Sequence, residues 1–183
     1  PTIEWEQPLD GMAVATPAVT SSIVYVGDYQ GQFYAINRRS GKVQWSVDLN
    51  DIIYGSPAYT EASETVFVGN ASGELFALAA ADGSKKWVRQ VPHELLSSPI
   101  IADGNIYIGN GPSTHYYPPR LDDNEIARAH EKGALGIYSF KQSTGELNWY
   151  HETPGPIIVP PMVSDGKVIY SRAGETETSK SSV

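Results

Sequence analysis

Polar and apolar positions alternate along this chain in short runs, broken every few residues by glycine, proline, or Asp and Asn pairs. "IVYVG" (Ile23–Gly27) is followed by a polar turn, then "GQFYAI" (Gly31–Ile36), another turn, and "SGKVQW" ending at Trp45. The same order returns with "TVFVG" (Thr65–Gly69), "GELFAL" (Gly73–Leu78) and "DGSKKW" ending at Trp87. It returns again with "NIYIG" (Asn105–Gly109), "GIYSF" (Gly136–Phe140) and "TGELNW" ending at Trp149, and "KVIYS" (Lys167–Ser171) starts a further round. Runs of this length, rich in Val, Ile, Tyr and Phe, predict β-strands. A short segment after each proline ("TPAV", "SPAY", "SPII", "PPMV") predicts a strand ahead of each round.

Two markers fix the period. The tryptophans at Trp5, Trp45, Trp87 and Trp149 are spaced 40, 42 and 62 residues apart, and Pro17, Pro57, Pro99 and Pro161 have the same spacings. Four strands in a unit of about 40 residues predict the blade of a β-propeller, an all-β fold of four-stranded antiparallel blades. With strands A to D running from the proline segment to the tryptophan strand, whole blades fall at about 15–47, 55–89 and 97–151. A and B strands of another blade follow at 159–171. Trp5 is expected on a D strand with no A, B or C before it. The chain is thus expected to hold a propeller portion over 1–173, with partial blades at both ends of an arc belonging to a seven- or eight-bladed ring. A polar tail at 174–183 is expected to be disordered. Gly27, Gly41, Gly69, Gly83, Gly109 and Gly145 are expected at chain reversals, where glycine accepts positive φ.

The closing units carry a family resemblance. "AINRRSGKVQW" (Ala35–Trp45) resembles the pyrroloquinoline-quinone-like repeat, Ala-x-Asp-x-x-Thr-Gly-x-x-x-Trp, with Asn37 and Ser40 as substitutes. "ALAAADGSKKW" keeps Ala77, Gly83 and Trp87, and "SFKQSTGELNW" keeps Thr144, Gly145 and Trp149. The resemblance implies an extracytoplasmic protein, periplasmic or secreted. It also implies a function among non-enzymatic binding or scaffold propellers presenting a loop face to a protein or glycan. The alternative is a portion of a quinoprotein dehydrogenase holding pyrroloquinoline quinone and calcium. No cofactor is expected under the first reading. A buried indole removes roughly 150–250 Å² from water, so Trp5, Trp45, Trp87 and Trp149 are read as blade-docking residues rather than a ligand platform.

Composition narrows the partners. The 183 residues carry a net charge of −8 with Lys and Arg scattered, which argues against nucleic acid. There is no cysteine, so neither a disulfide framework nor a thiolate metal site is available. No run approaches the roughly 18 apolar residues of a membrane span, and no signal segment opens the chain. The histidines at 93, 115, 130 and 151 lack ligand spacing. An arc of blades with open ends is expected to seek a protein partner or a second chain that completes the ring.

The repeat is broken once. About 20 extra residues stand between strands B and C of the third blade, in the insertion 110–136. Within it, "DDNEIARAHEKG" predicts a short helix capped by Asp122, with Glu125 three residues on and Gly133 at its end. "HYYPPR" precedes it. His115, Tyr116, Tyr117 and Arg120 are the candidate partner-binding residues, since Tyr and Arg are enriched at binding hot spots; the alternative is that the insertion is a cap folded over its own blade. In an antiparallel blade the B–C and D–A connections emerge at the same end, which places the insertion beside residues 48–55, 91–97 and 152–160.

Overall fold

A computed structural model describes residues 2–112 and 135–172. Three four-stranded sheets follow one another in the chain, each antiparallel and each in sequential order. Blade one holds β1 (Ala18–Val19), β2 (Ile23–Gly27), β3 (Gln32–Asn37) and β4 (Val43–Asp48). Blade two holds β5 (Ala58–Thr60), β6 (Thr65–Gly69), β7 (Glu74–Ala79) and β8 (Lys85–Gln90). Blade three holds β9 (Ile100–Ala102), β10 (Asn105–Gly109), β11 (Gly136–Lys141) and β12 (Leu147–Glu152). A two-stranded hairpin closes the described chain, β13 (Met162–Ser164) and β14 (Lys167–Ile169). The fold is an all-β propeller arc, and no helix occurs among the described residues.

Strand alternation explains why blades stack. Successive side chains point to opposite faces, and here both faces are apolar. Val24, Val26, Tyr34 and Ile36 of blade one pack with Trp5 and Leu9 on one side. Tyr25, Phe33 and Ala35 face Val66, Val68, Phe76 and Leu78 of blade two on the other. Phe67, Leu75 and Ala77 of blade two in turn face Ile106, Ile108, Tyr138 and Phe140 of blade three. The core is therefore divided into inter-blade layers, with the central strands shared between two of them.

Each C–D pairing slips at the same point. Ala35 pairs Trp45 but Ile36 pairs Val43, and the same shift occurs at Ala77/Leu78 and Ser139/Phe140. The extra residue ahead of each tryptophan is a β-bulge, which re-aims the strand locally. The A–B hairpins of blade three and the last hairpin turn at Asp103-Gly104 and Asp165-Gly166, with all four residues at positive φ, as a tight type I′ turn requires.

Two expectations need correction. Residues 2–9 form no strand, so Trp5 does not lie on a D strand. A D strand pairs with the C strand of its own blade, and no such strand stands beside this segment among the described residues. Gly41, Gly83 and Gly145 have positive φ, but Gly27, Gly69 and Gly109 do not. Those three end B strands, and glycine is required there by close approach. A Cβ would fall 2.5 Å from Ile53, 2.6 Å from Leu95 and 2.3 Å from Ile157, respectively.

Candidate binding face

The B–C loops begin with one polar residue directly after the strand: Asp28, Asn70 and Asn110, each fully buried. Every one of them organises its own loop. Asp28 Oδ1 accepts from the backbone N–H groups of Gln30 and Gln32. Asn70 Oδ1 accepts from Glu74 N, and its Nδ2 donates to Leu49 O and Glu74 Oε2. Asn110 Oδ1 accepts from Gly136 N at 2.8 Å. The backbone of the same residues holds the neighbouring D–A loop, since their carbonyls accept from Ile53, Leu95 and Ile157. The next residue in each loop reaches the preceding D–A loop: Tyr29 N to Met12 O, Ala71 N to Ile52 O, and Gly111 N to Glu94 O. The B–C and D–A loops are thus cross-latched at one end of the blades.

Blade three keeps this latch although its loop is expanded. Leu135 stands where Gly31 and Gly73 stand in the other blades, because Thr153 N donates to Leu135 O as Leu49 N donates to Gly31 O and Val91 N to Gly73 O. Leu135 is buried, and Tyr150 donates its hydroxyl proton to the Leu135 carbonyl. The candidate residues His115, Tyr116, Tyr117 and Arg120 lie outside the described residues, as do the helix expected at 122–133 and the tail expected at 174–183. The structure places the two ends of the insertion at the face shared with the D–A loops.

The chemistry of that face is acidic and aromatic. The loops at 10–17, 28–31, 48–57, 70–73, 91–99 and 153–161 carry Asp10, Asp28, Asp48, Asp51 and Glu94, and neither Lys nor Arg. Asp51 accepts from Ser72 Oγ at 2.7 Å, joining two loops. Tyr29 and Tyr54 meet edge to face with ring centroids 5.3 Å apart. Tyr34 sits beneath, its hydroxyl 3.1 Å from both Asp10 Oδ2 and Asp28 Oδ2, so one proton serves two carboxylates. Burial, then these carboxylates, pushes Tyr34 up to about 12, against a hydrogen bond from the Asp10 N–H. Burial and the nearby Glu152 carboxylate push Tyr150 up to about 12. Burial raises Tyr138 further.

At the opposite end of the blades the tryptophans meet glycine turns. Trp5 Nε1 donates to Arg38 O, Trp45 Nε1 to Ala80 O and Trp87 Nε1 to Gln142 O. Each acceptor lies three residues before Gly41, Gly83 or Gly145, and each ring covers that glycine. Sequence reasoning singled out these tryptophans, with Trp5 assigned to a strand it does not form, but missed Asp28, Asn70 and Asn110. Their signal was a single polar residue after each "VG" or "IG", which resembles ordinary turn chemistry.

The model of one family, described as outer membrane protein assembly factor BamB, matches residues 2–115. The chain belongs to the BamB family. Its pyrroloquinoline-quinone-like repeat is that family's, and the fold agrees with solved structures. BamB from Moraxella catarrhalis superposes with a TM-score of 0.70 at 18% identity, over 94% of this chain and 50% of that one. The computationally designed Ika4 protein gives a TM-score of 0.70 at 12% identity, over 91% of this chain and 88% of that one. A europium-containing methanol dehydrogenase gives 0.63 at 13% identity, over 85% of this chain and 27% of that one. The chain thus spans half the length of the Moraxella BamB. Among curated proteins none matches. No helix among the described residues is long and apolar enough to cross a membrane.

Proposed function

We propose that this chain is part of a non-enzymatic propeller that binds a protein partner through the end carrying its B–C and D–A loops. One observation carries the reading: blade three keeps the buried latch at Asn110, Leu135 and Gly136 while its loop is expanded by about 20 residues. Extra chain held on a fixed platform is how rigid scaffolds present binding loops. His115, Tyr116, Tyr117 and Arg120 supply the contacts within that insertion. The acidic charge of the surrounding loops suits a partner bearing Lys and Arg, favouring a protein over a neutral glycan. Membership of the BamB family supports a partner in outer membrane protein assembly and an extracytoplasmic, periplasmic location. Trp5, Trp45, Trp87 and Trp149 serve blade docking, in a ring of seven or eight blades completed by a protein partner or a second chain.

The second reading, a portion of a quinoprotein dehydrogenase, draws only on fold likeness. The described residues bring no three His, Asp or Glu side chains together as metal ligands.

The test compares the chain with a variant in which residues 112–135 are replaced by Ser-Gly, copying Ser72-Gly73 of blade two. Both are titrated by calorimetry with soluble portions of the outer-membrane barrel-assembly machinery. Saturable binding by the chain is expected, at least tenfold weaker in the shortened variant and in Tyr116→Ala, Tyr117→Ala and Arg120→Ala. Equal binding by both forms contradicts the assignment to the insertion. Dye reduction on adding pyrroloquinoline quinone and calcium overturns the non-enzymatic reading.

A further inference from the structure

The tip of each A–B hairpin holds the C–D turn of its own blade. Arg38 N donates to Ser22 O, Ala80 N to Glu64 O and Gln142 N to Gly104 O, at 2.8 to 3.0 Å. In blade three the tip is Asp103-Gly104, a two-residue turn between the paired Ala102 and Asn105. Gln142 also accepts the Trp87 indole proton on its carbonyl, and its Nε2 donates to Ser63 Oγ of blade two. The position of Gly104 O is thus passed on to the junction between blades two and three.

The tripeptide Ala-Asp-Gly occurs at 81–83 and again at 102–104, in opposite surroundings. Gly83 is buried beneath the Trp45 ring, and its N–H donates to Ala79 O. Asp82 Oδ1 accepts from Ser84 N at 2.9 Å, and hydrogen bonds from Ser84 hold this carboxyl below the ordinary carboxylate range. Asp103 and Gly104 are both exposed, and a Cβ on Gly104 would meet nothing within 4 Å. Among the described residues nothing accepts from Gly104 N and nothing donates to the Asp103 carboxylate. Asp103 also has a φ of 50°, a left-handed backbone that is disfavoured for a residue with a Cβ.

We propose that Asp103 is a site of isoaspartate formation and that this modification loosens the junction between blades two and three. The Gly104 nitrogen loses its proton to solvent base and attacks Asp103 Cγ. The N–Cγ bond forms, a Cγ–O bond breaks, and the oxygen leaves as water, closing a five-membered succinimide. Water then opens the ring at the former main-chain carbonyl of Asp103, breaking the bond from that carbon to the Gly104 nitrogen. The main chain now runs through Cγ and is one methylene longer, with no oxidant or reductant consumed. The new linkage releases Asp103 from its left-handed backbone, but the lengthened turn no longer fits between Ala102 and Asn105. Gly104 O is displaced from Gln142 N, and Gln142 O in turn from the Trp87 indole. The inference stands apart from the loop-face reading, since it concerns the opposite end of the blades.

The test holds the folded chain at mildly acidic pH and raised temperature, below its melting point, and samples it over days. Trypsin releases Asp82 within residues 43–85 and Asp103 within residues 90–120, with one Asp-Gly pair in each peptide. Isoaspartate is read by chromatography and electron-transfer fragmentation as an isomer of unchanged mass, which separates it from deamidation at Asn110-Gly111. Asp103 is expected to convert at least tenfold faster than Asp82 in the folded chain, and at the same rate in urea. In the aged chain, indole N–H exchange at Trp87 is expected to rise at least tenfold while Trp45 is unchanged. An aged Asp103→Glu chain, whose longer side chain cannot close the five-membered ring, is expected to keep Trp87 slow. Equal conversion of Asp82 and Asp103 in the folded chain overturns the site, and so does a tenfold gap that persists in urea. Trp87 staying protected in chains that carry the isoaspartate, or losing protection equally in Asp103→Glu, overturns the link to the junction.

Discussion

Trp87 and Trp149 hold the same place in successive blades and differ in what lies against them. Trp87 packs in the layer between blades two and three and donates to Gln142 O. Trp87→Ala is therefore expected to cost about 3–5 kcal/mol, and Trp149→Ala about 1 kcal/mol or less, as read from urea unfolding midpoints. The glycines allow a similar contrast. Gly166 has positive φ with open space around it, so Gly166→Ala pays only the left-handed backbone cost of about 1–2 kcal/mol. Gly83→Ala costs more, because its new Cβ meets the Trp45 ring at 2.7 Å. Asn70→Ala leaves Glu74 N and Leu49 O without their side-chain partner, an expected loss of about 2–4 kcal/mol. These buried polar nodes were illegible in the sequence because one Asp or Asn after a glycine reads as a turn residue. Only the fold shows that it holds two loops. The glycines after each B strand were misjudged for a related reason, since crowding by Ile53, Leu95 and Ile157 arises from residues far along the chain.

The blade repeat was legible at the level of elements because strand alternation and turn residues agree within each unit. Gly31 and Gly73 precede the C strands at positive φ, and Asn37 Oδ1 accepts from Arg39 N and Ser40 N to form the C–D turn. Residues 2–9 show where local pattern runs out. Their composition matches a D segment, but a strand needs a paired neighbour, and here Trp5 meets Arg38 O and Gly41 and packs with Leu9 on blade one without strand pairing. The insertion also belongs to this scale. Both of its ends repeat the hydrogen bonds of the short loops, so replacing residues 112–135 by Ser-Gly is expected to leave the β circular dichroism unchanged. Because the buried Leu135 is removed with the loop, its melting temperature should fall by on the order of 10 °C, a loss of about 2–4 kcal/mol, with unfolding still cooperative. A collapse of cooperative unfolding would show that the insertion is part of the core instead.

Across the molecule, a buried and a half-buried tyrosine tie stability to alkaline pH. Tyr34 and Tyr150 are raised from the ordinary 10 to about 12. The folded state holds these protons more tightly than the unfolded chain, so their contribution is full below pH 10 and is lost as pH rises towards 12. Urea midpoints are expected to fall across that window, and Tyr34→Phe with Tyr150→Phe should flatten the slope. The larger arrangement is an arc of three blades joined by one repeated contact and, among the described residues, open at Trp149. Hydrogen exchange of the four indole N–H protons, followed by NMR, tests it most directly. Trp45 and Trp87 are predicted to exchange slowly, each held by a carbonyl of the next blade, and Trp149 to exchange at a rate near that of free indole. Equal protection of Trp149 and Trp87, or fast exchange at Trp45 and Trp87, would contradict the blade-to-blade contact on which the arc is built.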